Sequence, residues 1–214
     1  MTLRQPGQVI GRAGTGLGAG CNGWAANRDV ARIGRRGELR TGEVLNQIAA
    51  KPGGPTVLHD LTIPGSRANI DHVVVSGRRI TLVDSKVWKP GTYWRLPGIG
   101  TFRGAERFPY ADKGTMAMAV DRLVRFLDER HLAAQVAAPL TVVWPSSREG
   151  SVRMLAFGGD LARRRVIPGP LLASSARRLG SRTADPNVVF ALAPLVAGAA
   201  GARSAHPTRP VPSW

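Results

Sequence analysis

Cysteine is almost missing from this chain. Cys21 stands alone among 214 residues, which excludes an internal disulfide and any cysteine-based zinc cluster. Histidine is sparse as well: His59, His72, His131 and His206 are scattered and form neither an HExxH nor an HxH arrangement. The opening "MTLRQPGQVIGRAGTGLGAG" lacks the continuous apolar region of a signal peptide. The longest apolar run, "VVFALAPLVAGAAGA" (188–202), is short for a bilayer and is broken by Pro194. These absences lead to the expectation of a soluble, cytoplasmic protein. Acids are also few, 14 against 30 Lys plus Arg, for a net charge of +16. Lys51, Lys86, Lys89 and Lys113 are the only lysines, so arginine carries almost all of that charge. Such a balance favours polyanions, nucleic acid first and an anionic membrane surface second. Arginines spread over solvated faces would give the same figure.

What is present is ordinary for a globular protein: 43% hydrophobic and 21% charged residues, in a length that suits one domain with a proper core. Residues 1–30 are rich in glycine and read as a flexible arm, 31–182 as the folded domain, and 183–214 as an apolar segment with a disordered tail. "GTGLGAG" lacks the Lys-Ser/Thr of a phosphate loop and follows no strand. "GRRGELRTGEVLNQIAA" (34–50) reads as a helix ending before Pro52, and "TVLHDLTI" (56–63) as a strand. "GTYWRL" and "TFRG" read as short strands, "LTVVWP" (140–145) and "VRMLAF" (152–157) as further ones, and "PGPLLASSARRLG" ends as a helix. Between them, Met116, Val120, Leu123, Val124 and Leu127 recur at helical spacing after a plausible N-cap at Asp112. The expected fold class is α/β, a mixed central sheet flanked by helices.

The stretch "ANIDHVVVSGRRITLVDSKVW" (68–88) carries the chemistry. With Gly77-Arg78 as a two-residue turn, glycine in first position suits type II′. Opposed residues then sum to 155, so Val75 faces Ile80, Val73 faces Leu82, Asp71 faces Asp84 and Asn69 faces Lys86. All lie on one face, since strand side chains alternate. Directly opposed Cβ atoms sit about 4.5–5.5 Å apart, where like charges repel. Carboxylates held that close share a proton or surround a divalent cation. Two aspartates and a lysine in one volume suit metal-assisted phosphodiester hydrolysis: carboxylates hold Mg²⁺, and the lysine orients the nucleophile or offsets developing charge. The bland counterpart is a pair of edge carboxylates neutralised by arginines such as Arg67. On the first helix, Glu38, Thr41, Leu45 and Ile48 form one stripe, with Glu43 nearly opposite. Glu38 is therefore the acid on the packing face, where an unpaired carboxylate is costly and a shared metal or an arginine would remove the cost.

"GRRGELRT" (34–41) with its GxxGE element, "VLHDLTIPGSRANIDHVVV" (57–75), "LVDSKVWKPGTYW" (82–94) and the later helix and "LTVVWP" strand resemble the nuclease-related domain (NERD) family, a branch of the PD-(D/E)xK, restriction-endonuclease-like superfamily. The resemblance spans roughly residues 34–180. It implies a restriction-endonuclease-like core and a nuclease dependent on Mg²⁺ (or Mn²⁺). It also implies that Glu38 matches the helix glutamate, Asp71 the metal-binding aspartate, Asp84 the second acid and Lys86 the lysine. Asp84 stands where the family often has Glu, which keeps the ligand type and shortens its reach. His72 matches the residue after the aspartate and points to the other face, a structural place.

The segment after the site interleaves Trp88, Tyr93, Trp94 and Phe102 with Lys89, Arg95, Arg103 and Arg107. Aromatic platforms beside cations suit nucleic acid, and Trp88, Lys89, Tyr93, Arg95 and Arg103 are the expected contacts. The competing reading places these aromatics in a second hairpin's core, with the cations solvated. From Leu161 onward eight arginines face one acid, Asp185. The leading expectation is a Mg²⁺-dependent nuclease acting on DNA. The alternatives are a nucleic-acid-binding module without turnover and a basic adaptor docking a protein or an anionic membrane.

Overall fold

The two-residue turn forms as its residues dictate. Gly77 has φ +58° while Arg78 is not in the left-handed region, the signature of a type II′ turn that any Cβ at the first position would strain. It joins β3 (Asn69–Ser76) to β4 (Arg79–Trp88). The ladder runs Ser76↔Arg79, Val75↔Ile80, Val73↔Leu82 and His72↔Val83, the register that the turn requires. The computed structural model describes residues 5–15, 25–66, 68–96, 98–112, 115–155 and 165–197. Arg67, the Asp112 side chain and the tail 198–214, about which the sequence raised expectations, lie outside the described residues.

Around this hairpin a mixed sheet assembles. β2 (Thr56–Thr62) pairs antiparallel with β3, and β1 (Val9–Ile10) pairs parallel with β2 at the edge. On the other side β9 (Leu140–Pro145) and β11 (Val166–Pro168) add in parallel, with the short β8 (Gln135–Val136) also on β4. Helix α1 (Ala25–Ala49) covers one face, packing Leu45 and Ile48 on Val57, Val74, Val83 and Val142. Helices α2 (Thr115–Asp128) and α3 (Pro186–Leu192) cover the other, over Leu58, Val73, Val75, Ile80 and Leu82. The chain is thus α/β, a mixed sheet between helices. A second sheet, in the order β10 (Val152–Leu155), β5 (Gly91–Leu96), β6 (Gly100–Arg103), β7 (Glu106–Arg107), stands beside it.

The structure fills in four local details. Residues 5–15 do not stand off as an arm: Gln8 accepts from the Val57 amide and Gly7 donates to Ala49, beside the β1 pairing. Residues 186–196 belong to the main core, with Val188, Leu192 and Val196 buried. The helix expected over "PGPLLASSARRLG" is two short 3₁₀ turns, Gly169–Leu171 and Ala176–Arg178, since Pro168 and Pro170 remove two amide donors from its start. In α2 the buried stripe is Ala119, Leu123, Phe126 and Leu127, which leaves Val124 at the exposed margin.

Candidate active site

Below His72↔Val83 the hairpin opens. β3 continues on β2, with Leu61↔Ile70 and Thr62↔Asn69, while β4 continues on β9, with Asp84↔Thr141 and Lys86↔Val143. In an unbroken ladder Ser85 would pair with Ile70. Instead the Ser85 amide donates to Asp71 Oδ2 at 2.7 Å, so the carboxylate satisfies the donor that the fork leaves open. Asp84 and Lys86 share the alternation of Ile80 and Leu82, away from α1. Lys86 Nζ donates to Asp84 Oδ1 at 2.6 Å, and the lysine side chain remains 48% exposed.

Glu38 lies on the packing face of α1, as its stripe predicts, and arrives from the opposite side of the sheet. What brings it near is Gly37. A Cβ there would lie 2.6 Å from Val87 Cγ2, so the glycine of the GxxGE element lets α1 press onto β4 at the fork. Glu38 is 9% exposed and, among the described residues, has no hydrogen-bond or ion-pair partner.

The electrostatics tie these groups together. Burial, then the charges of Asp84 and Glu38, push the Asp71 carboxyl well above the ordinary range, against the Ser85 amide and Lys86. Burial raises Asp84 as well, opposed by Lys86. Burial, then Asp60, raises Glu38, with Asp84 adding to it and Lys86 and Arg35 opposing. Burial alone would lower Lys86, but Asp84, Asp71 and Glu38 lift it above its usual value. Three carboxyls thus crowd one lysine, a setting in which carboxyls retain a proton or share a cation. The donors are hard carboxylate oxygens, which fits Mg²⁺ or Mn²⁺, and Mg²⁺ needs only one or two carboxylates because it keeps several waters. Among the described residues no three His, Cys, Asp or Glu side chains form a ready-made cage for an ion.

Asp84 and Lys86 line a cavity of about 840 Å³ together with Trp88, Lys89, Arg103 and Arg107. Of the residues expected to meet nucleic acid, Trp88, Lys89 and Arg103 therefore reach the site's own cleft, although Trp88 is mostly buried against Tyr93 and Phe108. Tyr93 and Arg95 drop out of that set. Tyr93 is 0% exposed in a core with Trp88 and Phe108, its hydroxyl donating to the Lys89 carbonyl. Arg95 is buried and donates to Thr101 Oγ1. The meander closes into its own sheet, which turns the inward side chains of β5 away from solvent. Trp94 and Phe102 stack at 4.5 Å across the same hairpin.

Two features escaped the sequence. Asp60 is buried at 5% exposure with φ +55°; only its register opposite Asp71 (both His59↔His72 and Leu61↔Ile70 sum to 131) could have pointed to it. The second is a buried chain behind the fork. Ser85 Oγ lies 3.1 Å from His72 Nε2, His72 Nδ1 lies 2.8 Å from His59 Nδ1, and His59 Nε2 lies 2.8 Å from Asn46 Oδ1. One set of tautomers satisfies every atom: the serine donates to His72, His72 to His59, and His59 to the Asn46 carbonyl. Burial lowers His59 to about 4 and, with His59 beside it, lowers His72 well below the usual imidazole value. Both rings are neutral and fix Ser85 from behind. His72 holds the structural place expected of it.

Residues 33–134 match the family described as the nuclease-related domain (NERD). No curated protein and no solved structure matches the chain.

Proposed function

With residues 33–134 a nuclease-related domain, we propose that the chain is a metal-dependent nuclease that hydrolyses phosphodiester bonds of DNA. The observation that carries this reading is the fork itself: Asp71 accepts from the Ser85 amide at 2.7 Å where β3 and β4 part, and Lys86 is hydrogen-bonded to Asp84 at 2.6 Å on the wall of a basic cavity. Asp71 and Asp84, with Glu38 from α1, would hold Mg²⁺ or Mn²⁺. When bound, that ion lowers the pKa of water and offsets phosphate charge. The protein's own share is positional. Lys86, anchored by Asp84, keeps its remaining N–H donors toward the cavity, where they orient a water or stabilise charge growing on the phosphoryl oxygens. Lys89, Arg103 and Arg107 seat the backbone phosphates of the strand. Asp71 is held by the Ser85 amide, and Ser85 by the histidine pair, so the carboxylates keep their places without substrate.

One observation favours a second reading, a nucleic-acid-binding module without turnover: the described residues offer no ready-made three-ligand cage. The two separate in one experiment. Purified protein is incubated with single-stranded, duplex and nicked DNA, and with RNA, in Mg²⁺, Mn²⁺ or EDTA, with Asp84→Ala in parallel. Metal-dependent products from the wild type alone support the nuclease. Salt-sensitive binding with no product from any substrate supports the module.

A further inference from the structure

Asp60 is a fourth carboxylate that the nuclease reading leaves without a role. It lies in β2 directly opposite Asp71 in register, yet the ladder omits this pair between His59↔His72 and Leu61↔Ile70. The reason is its backbone: φ +55° takes the residue out of the strand conformation, a departure that needs support from its surroundings. That support comes from three directions. Thr15 Oγ1 donates to Asp60 Oδ2 at 2.5 Å, Asn69 Nδ2 donates to Oδ1 at 2.8 Å, and the Ala197 amide donates to the Asp60 carbonyl at 2.9 Å. Val196 adds a bridge to Leu61. Thr15 and Ala197 both lie outside the matched span 33–134, so segments flanking the nuclease-related domain converge on one buried acid beside its site.

Neither of its hydrogen bonds neutralises the Asp60 charge, and among the described residues no cation pairs with it. Two neutral donors fix the carboxylate, one on each oxygen. Its charge is felt by Glu38, for which Asp60 is the foremost of the neighbouring charges. A left-handed backbone and a clasp from both flanks thus hold this buried carboxylate opposite Asp71 in register.

We propose that Asp60, clasped by Thr15 and Asn69, is a positioning residue that deepens the negative potential behind Glu38 and so strengthens divalent-cation binding at the Asp71–Asp84 fork. The proposal rests on the metal-dependent reading of that site. Asp60 acts through Glu38 and is not itself placed as a ligand.

The test is Mg²⁺ binding to the full chain without nucleic acid, read by titration calorimetry. Asp60→Asn is the informative variant, because asparagine tolerates the left-handed conformation and keeps an oxygen for Asn69 while removing the charge. It is expected to weaken Mg²⁺ about 10-fold or more, the scale seen for outer-shell groups, with its thermal midpoint without metal preserved. Thr15→Val is expected to weaken binding in the same direction, and Thr15→Ser to restore it. Asp84→Asn serves as the control for the site. Wild-type affinity in Asp60→Asn alongside lost affinity in Asp84→Asn overturns the proposal and leaves the metal site standing. No Mg²⁺ binding by the wild type overturns both.

Discussion

Asp71 does two jobs with one carboxylate, closing the backbone fork through the Ser85 amide and feeling the charges of Asp84 and Glu38 in a half-buried cluster. Because that cluster lifts the carboxyls, protons compete with a cation for them, so Mg²⁺ affinity is expected to climb as pH rises above the ordinary carboxylate range. Titrations at several pH values check this. A pH-independent constant would contradict it. The lysine is expected to matter for turnover rather than folding: Lys86→Ala should lose about 10²-fold or more in cleavage with a thermal midpoint near wild type. The histidine pKa values move the opposite way, downward. His59 falls from an unfolded value near 6.5 to about 4 in the fold. Above 6.5 neither state carries its proton, and as pH drops from 6.5 toward 4 only the unfolded chain gains one, so stability falls across that window. Thermal melts from pH 8 to 4 should show this loss, shallower in His59→Gln.

The hairpin was readable from sequence because its determinants are local. A glycine in a two-residue turn sets the register, and the alternation then fixes which residues face each other; Val75↔Ile80 through His72↔Val83 follow from that arithmetic. The arithmetic stops where β3 and β4 part, β3 staying on β2 and β4 taking up β9, because that choice depends on strands distant in sequence. The same limit hid Asp60, whose left-handed backbone has no signature in the letters "LHDL". It also hid the burial of Tyr93 and Arg95, set by β10 joining β5 from about sixty residues away. Helix periodicity put Glu38 rather than Glu43 on the packing face, where Glu38 is buried and Glu43 exposed, but it carries no information on which face of the sheet the helix covers. The element contact that brings it in is testable. Gly37→Ala is expected to push α1 from Val87, costing about 1–3 kcal/mol in chemical denaturation, and to reduce cleavage more than a surface Gly→Ala would. A neutral effect on both would separate Glu38's placement from that contact.

For the molecule as a whole, the +16 charge gains a location: Lys89, Arg103 and Arg107 stand on the wall that holds Asp84 and Lys86. DNA affinity is therefore expected to fall steeply with salt, and Lys89→Ala or Arg103→Ala to lower the slope of log K against log[salt] by about 1 each. Fluorescence-anisotropy titrations at four salt concentrations measure it. Unchanged slopes would move the contact surface elsewhere. No helix among the described residues is long and apolar enough to cross a membrane. The matched span is 33–134, and Thr15 before it and the Ala197 amide after it both hydrogen-bond Asp60. The most direct measurement of the account is single-turnover cleavage of a labelled duplex by the purified full chain, comparing wild type in Mg²⁺, wild type in EDTA, and Lys86→Ala in Mg²⁺. The expected result is product in the first alone, with DNA binding retained in all three. Equal product in all three, or none in any across substrates while binding persists, would contradict it.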